Sequence, residues 1–516
     1  MRRSPALRSR VVGLWFILLS MGTYASAEVK LPKLISDNMV LQQGMKVRIW
    51  GTADPSEKVS VAFREQKVAT EAGPDGRWEV YLQPLKAGGP DTLTISGTNT
   101  IALKDVLVGE VWVCSGQSNM AWPVNLSLNA PQEIAAANYP MIRLFTVPII
   151  VASRPQKDVD GHWAPATPQT VEKFSAVGYF FGRDLHKALG VPVGLIHSSV
   201  GGTPAEAWTS WPGLESVPEA KSYLDERGQL LAKYPHQVEE FKQQYDTWLH
   251  TADTAEAEGK ILPSAPRLPE DPRGSTWRPS GLYNAMIAPL TPYAIRGAIW
   301  YQGESNSIRA REYRKVFPGM IQDWRQAWGE GDFPFLYVQL ANWQVTDPTL
   351  NWPELCEAQL MTLSVPKTGM AVAIDIGDPY DIHPKNKQEV GRRLMLAAEA
   401  IAYGRDVVYS GPIYESMAVE GTKVRLRFKH VDGGLLAQGG AALKGFEVAG
   451  EDRKFVPAEA GIDGKTIVVR SGQVASPVAV RYAWADNPTC NLYNKAGLPA
   501  SPFRTDDWPS APPEKK

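Results

Sequence analysis

Val106-Leu107-Val108-Gly109-Glu110-Val111-Trp112-Val113 is a nearly unbroken apolar run, and Cys114-Ser115-Gly116-Gln117-Ser118-Asn119-Met120 follows it directly. A strand with one face in water alternates apolar and polar residues. A run like this one fits a strand buried on both faces, as in a parallel sheet. Further apolar runs stand at Val193-Gly194-Leu195-Ile196, Gly297-Ala298-Ile299-Trp300-Tyr301, Phe335-Leu336-Tyr337-Val338 and Met370-Ala371-Val372-Ala373-Ile374. Helical patterns separate several of them, including Gly182 to Leu189 and Tyr313 to Trp328. This alternation predicts a mostly parallel sheet with helices on both faces.

The texture differs on either side. From Glu28 to about 105, segments such as Lys58-Val59-Ser60-Val61-Ala62-Phe63 alternate apolar and polar residues, and Pro74-Asp75-Gly76-Arg77 is turn chemistry. A small β-sandwich is the reading. The segment from about 212 to 280 interrupts the α/β pattern: Glu219 to Ala257 suits one or two helices, and Pro263 to Pro279 is Pro-rich and irregular. It reads as a helical insertion in the sheet domain, which spans 106–410. After His383 the spacing predicts a helix with Asn386 as N-cap and Glu389 completing a capping box. Val390, Leu394, Ala397 and Ile401 form its apolar stripe, and Gly404 ends it. From 411 to 516 alternating segments return, as in Lys423-Val424-Arg425-Leu426-Arg427-Phe428, and predict a C-terminal β module.

A chain of 516 residues exceeds one ordinary domain. Its formal net charge of -1, with no sustained basic run beyond the first ten residues, argues against nucleic acid and anionic membrane as partners. Arg2, Arg3, Arg8 and Arg10, the short apolar run Val11 to Met21 and the small residues Ala25-Ser26-Ala27 predict a signal peptide over 1–27. The apolar run is shorter than the roughly 20 residues of a membrane span, so periplasmic or secreted localisation is expected, with no membrane partner after cleavage. Cys114, Cys356 and Cys490 cannot make a disulfide framework, although one bridge is possible. The seven histidines show no paired metal-ligand spacing, so no metal site is indicated.

Four segments carry candidate chemistry. Ser118 directly follows the buried strand and Gly116, at a strand end where ligand sites form in doubly wound sheets. Residue 120 is Met, so this is not the GxSxG nucleophile elbow, and an isolated serine here also reads as a helix cap. In Ser198-Ser199-Val200-Gly201-Gly202-Thr203, paired glycines just past a strand let backbone N–H groups approach a ligand, or simply turn the chain. In Trp300-Tyr301-Gln302-Gly303-Glu304-Ser305-Asn306, the Gln302 amide can donate two hydrogen bonds. Asp375-Ile376-Gly377-Asp378-Pro379-Tyr380-Asp381-Ile382-His383-Pro384 places a histidine with close acids at another strand end, as a general base requires. The rival His197 lies in an apolar strand and reads as a packed core residue.

Together, Gly109 to Met120, Gly201-Gly202-Thr203, Trp300 to Glu304 and Asp381 to Pro384 resemble the SGNH hydrolase superfamily, in particular its sialate O-acetylesterase-like branch, and they come in that family's order. The resemblance implies a flavodoxin-like three-layer α/β/α catalytic domain that needs neither metal nor cofactor. It implies Ser118 as nucleophile and His383 as base. The oxyanion hole would comprise the backbone N–H of Ser118 and of Gly201 or Gly202, with the Gln302 side chain. The superfamily's usual acid lies three residues before the histidine, where this chain has Tyr380. Asp381 is the candidate taken here, with Asp378 the alternative.

The implied reaction is hydrolysis of O-acetyl esters on a carbohydrate, either sialic acid or a plant cell-wall polysaccharide such as xylan or xyloglucan. Of the 17 tryptophans, Trp122, Trp208 and Trp300 lie near the motifs and are the candidates for sugar contact. A non-catalytic carbohydrate-binding protein would suit the β modules but has no need of Ser118, Gln302 and His383 together. A serine lipase or esterase of longer acyl chains shares the nucleophile chemistry and is separated by its substrates.

Overall fold

A computed structural model describes residues 28–440 and 442–509. The expected export signal at 1–27 and the tail from 510 lie outside the described residues.

The centre is a parallel sheet of β1 (Thr100–Gly116), β2 (Tyr139–Thr146), β3 (Val193–Ser199), β4 (Gly297–Tyr301), β5 (Phe335–Gln339) and β6 (Thr368–Val372). Across the sheet they run β6-β5-β4-β1-β3-β2, and every neighbouring pair in that order is parallel. Apart from β2, which adds to the outer side of β3, this is the doubly wound flavodoxin-like order. Chain direction across the sheet reverses at β1, which opens a crevice at the C-terminal ends of the strands.

β1 explains the change of sequence texture at Val106. Its first six residues alternate in burial and pair antiparallel with Gly88–Ser96 in the N-terminal β-sandwich. From Val106 to Gly116 every residue is buried: Leu107 to Gly109 pair with Val40–Gln42, and from Glu110 and Trp112 onward the strand runs between β3 and β4 with helices over both faces. One strand therefore threads both sheets, without a linker at 105–106.

The five longest α-helices among the described residues are α1 (Ala176–Leu189), α2 (Lys221–Ala257), α3 (Ala310–Trp328), α4 (Trp352–Met361) and α5 (Lys387–Ile401). Trp112 packs edge-on against Phe181 of α1 on one face of the sheet. Trp300, whose side chain points to the opposite face, packs against Phe317 and Trp324 of α3. These two tryptophan clusters mark the outer layers of an α/β/α sandwich. Helices α1 and α5 lie so close that a Cβ on Gly391 would meet Phe180 and the Phe181 backbone at 2.8 Å.

Three helix readings are refined. α1 begins six residues before Gly182, capped by Ser175, whose Oγ accepts from Gly178 N–H. Its first two turns are buried on all sides, so they carry no amphipathic period. The 212–280 segment holds one long helix, α2, whose side chains are mostly exposed. At α5, Asn386 accepts from Glu389 N–H as expected, but Glu389 does not close a capping box. Its carboxylate is taken by Arg392 and Arg393.

C-terminal to the α/β sandwich, two four-stranded antiparallel sheets contain Lys423–Lys429 and Ala479–Tyr482 respectively. All three cysteines are free. Among the described residues no helix is long and apolar enough to cross a membrane, and no three His, Cys, Asp or Glu side chains gather as metal ligands.

Candidate active site

Strand register brings the motifs to one rim. Gly116 pairs with Ser199 on one side and Tyr301 on the other, so the chain leaves β1, β3 and β4 at the same height. The next residues on each path are Gln117-Ser118, Val200-Gly201-Gly202 and Gln302-Gly303. Gly116 is required there: its φ is +137°, and a Cβ would sit 2.1 Å from the Tyr301 carbonyl oxygen. That close approach lets Gln117 N–H bond the same carbonyl at 2.9 Å.

Ser118 opens a single helical turn, Ser118–Ala121, but does not cap it, because the cap position is Gln117. Its Oγ lies instead 2.8 Å from His383 Nε2. His383 comes from the segment between β6 and α5, which is tied down by Arg393 of α5 on both oxygens of Asp375 at 2.6 and 2.7 Å. Its imidazole stacks on the Trp122 indole, with centroids 4.9 Å apart and planes 14° apart. Partial burial, and then the Lys387 ammonium, hold the His383 pKa below its ordinary 6.5, with Asp381 pulling the other way. A histidine so placed is neutral at pH 7 and able to accept a proton.

Of the two acids, Asp381 is the one facing His383. Its Oδ1 lies 3.5 Å from Nδ1 and accepts the His383 backbone N–H at 2.9 Å. Asp378 Oδ1 accepts from Tyr380 N–H, within its own turn. At 3.5 Å the Asp381 contact with the ring is a charge interaction rather than a short hydrogen bond.

Gly201 lies against the serine: a Cβ built on it would be 3.4 Å from Ser118 Cβ. Among the described residues no hydrogen bond engages the backbone N–H of Ser118, Gly201 or Gly202. Three backbone donors at one rim thus have no acceptor within the protein.

Gln302 departs from expectation. It is fully buried, and both its amide protons are committed, to the Thr203 carbonyl at 3.1 Å and to Asn306 Oδ1 at 2.7 Å. Its oxygen accepts from Tyr313 OH at 2.9 Å. No proton of this amide remains for an oxyanion, so Gln302 braces the Gly201-Gly202-Thr203 turn from beneath. Gln117, quoted only as part of a motif, anchors the neighbouring turn. Its Oε1 accepts from Gly303 N–H and Ser305 N–H at 3.3 and 3.4 Å.

The tryptophan readings separate. Trp208 and Trp300 are fully buried and pack edge-on to each other, so they are core and not sugar contacts. Trp122 is partly exposed beside His383. His197 is a core residue, bonded to Ser199 Oγ at 2.6 Å and held near 4 by burial. Sequence reading missed a buried polar group behind the rim, Asn119, Glu304 and Lys387. Two of these stood inside quoted motifs, but nothing in the sequence signals that they meet.

A parallel α/β sandwich with a serine, histidine and acid converging at its switch point defines a serine carboxylic ester hydrolase. The comparisons narrow this: the chain belongs to the sialate O-acetylesterase family. Residues 273–402 match the family model described as "Carbohydrate esterase, sialic acid-specific acetylesterase". The chain is 32% identical to the sialate O-acetylesterase of Rattus norvegicus over 96% of this chain and 98% of that one. It is 34% identical to that of Mus musculus, over 91% and 93% respectively. A crystal structure of a carbohydrate acetylesterase from Xanthomonas citri superposes with a TM-score of 0.80 at 39% identity, covering 93% of this chain and all of that one.

Proposed function

We propose that this chain removes O-acetyl groups from carbohydrates outside the cytoplasm, through an acetyl ester formed on Ser118. The observation that carries the reading is the 2.8 Å contact between Ser118 Oγ and His383 Nε2, with Asp381 behind the ring. Ser118 Oγ attacks the acetyl carbonyl carbon as its proton passes to His383 Nε2. The negative charge that develops on the carbonyl oxygen is met by the backbone N–H groups of Ser118, Gly201 and Gly202. Collapse of the tetrahedral intermediate breaks the ester bond, and His383 returns the proton to the departing sugar oxygen. A water molecule, deprotonated by His383, then cleaves the acetyl-serine to acetate and frees Ser118. Asp381 stabilises the imidazolium in both halves.

Acetate release from acetylated sialic acid, acetylated xylan and xyloglucan, compared with butyrate release from butyryl esters of the same sugars, tests this reading. Release from one or more acetylated carbohydrates, with butyryl esters cleaved far more slowly, is the expected result. Turnover of the longer acyl esters alone would replace the reading with a lipase-type activity.

A further inference from the structure

Behind the rim, three elements are joined by side chains outside the proton path. Asn119, the residue after the nucleophile, donates to Glu304 Oε1 at 2.6 Å and to the Ile382 carbonyl at 3.0 Å, one residue before His383. Its own oxygen accepts from the Lys387 ammonium, on the first turn of α5. That ammonium also lies over two aromatic faces, 5.8 Å from the Trp122 ring and 5.3 Å from the Tyr301 ring. Trp122 in turn stacks on His383. Lys387 is fully buried, which is rare for lysine and costly unless its charge is used.

We propose that Lys387 is a positioning residue for the Ser118–His383 pair, acting through Asn119 on one side and through the Trp122 indole on the other. This rests on the reading of Ser118 and His383 as nucleophile and base. The hydrogen bond to Asn119 locks the turn that carries Ser118 to the segment that carries His383. The cation behind the indole fixes the ring on which the imidazole rests.

The charge has a second consequence. The charged or titratable groups around the pair are Glu304 and Asp381, facing Lys387, and Lys387 and Asp381, facing His383. Tyr301 and Cys356, which face Glu304, stay neutral because burial raises both, Cys356 to about 12. Burial pulls Lys387 down to about 7, while Glu304 and then Asp381 favour its ammonium form. A cation behind the base disfavours the imidazolium, and its removal lets His383 protonate at higher pH.

The test compares wild type with Lys387→Met and with Lys387→Gln, which keeps a donor for Asn119. Two pH profiles are recorded: acetate release, and inactivation by a small serine-directed phosphonate, which needs no sugar. Circular dichroism melts establish folding. In the variants the acid limb of both profiles moves upward by about half a pH unit or more. The plateau kcat falls about tenfold or more with KM little changed, because the geometry of the pair has loosened. A limb that stays at the wild-type pH, an undiminished plateau, or failure of both variants to fold overturns the proposal and leaves Lys387 a structural residue. If wild type itself is not phosphonylated at Ser118, the underlying esterase reading fails, which is a separate result.

Discussion

Replacing Asp381 by Asn isolates the charge behind His383. The asparagine oxygen still accepts the His383 backbone N–H that Asp381 Oδ1 holds at 2.9 Å, so the turn keeps its shape. What is lost is a negative charge 3.5 Å from Nδ1. For unit charges at that separation Coulomb's law gives about 1 kcal/mol in water and about 5 kcal/mol at an effective dielectric of 20. The Asp381 side chain is 41% exposed, so solvent screening draws the value to about 1–3 kcal/mol. Since the imidazolium forms only as the reaction proceeds, this is a loss of transition-state stabilisation, and kcat/KM falls about ten- to a hundredfold. The loss is smaller than the roughly 10⁴-fold typical of a fully buried triad acid. The assay is initial-rate acetate release, with Asp378→Asn as the control, expected within about twofold of wild type. An unimpaired Asp381→Asn, or an Asp378→Asn variant impaired as much, would refute the reasoning.

Further outcomes follow from the same geometry. Gln302→Ala takes from the buried Thr203 carbonyl and Tyr313 hydroxyl the partner each has in Gln302, so the melt shows a loss of about 2–4 kcal/mol along with reduced kcat. A normal melt with depressed kcat would instead point to a direct oxyanion donor. His197 is ordinarily near 6.5 but held near 4 by burial, so below 6.5 the unfolded chain gains a proton that the folded chain refuses. Its contribution is full above 6.5 and is lost as pH falls toward 4, by up to about 3 kcal/mol. Urea midpoints of wild type and His197→Asn against pH converge there if this holds, and run parallel if it does not. Expression with export yields a mature N-terminus at Glu28, read by N-terminal sequencing; an intact Met1 would contradict the export reading.

Much of the fold was legible because β1, β3, β4 and β5 are buried on both faces, and such strands show as unbroken apolar runs. Boundaries failed where that signal saturates. The first turns of α1 are apolar all round, and the last strand of the sheet ends two residues before its apolar run does. Of the candidate site, Ser118, Gly201-Gly202 and His383 stood out in the sequence because strand-end glycines and a histidine beside acids have a local signature. For Gln302, sequence shows that an amide can donate but not that its nitrogen meets Thr203 and Asn306. Lys387 was invisible for a similar reason: a lysine at a helix start reads as solvent-exposed, and only the tertiary fold puts Asn119, Trp122 and Tyr301 around it.

The most direct measurement is acetate release from acetylated carbohydrate by wild type, Ser118→Ala and His383→Ala, each verified as folded. Release by wild type with both variants reduced by about three orders of magnitude or more is predicted. Equal release by wild type and Ser118→Ala would contradict the account.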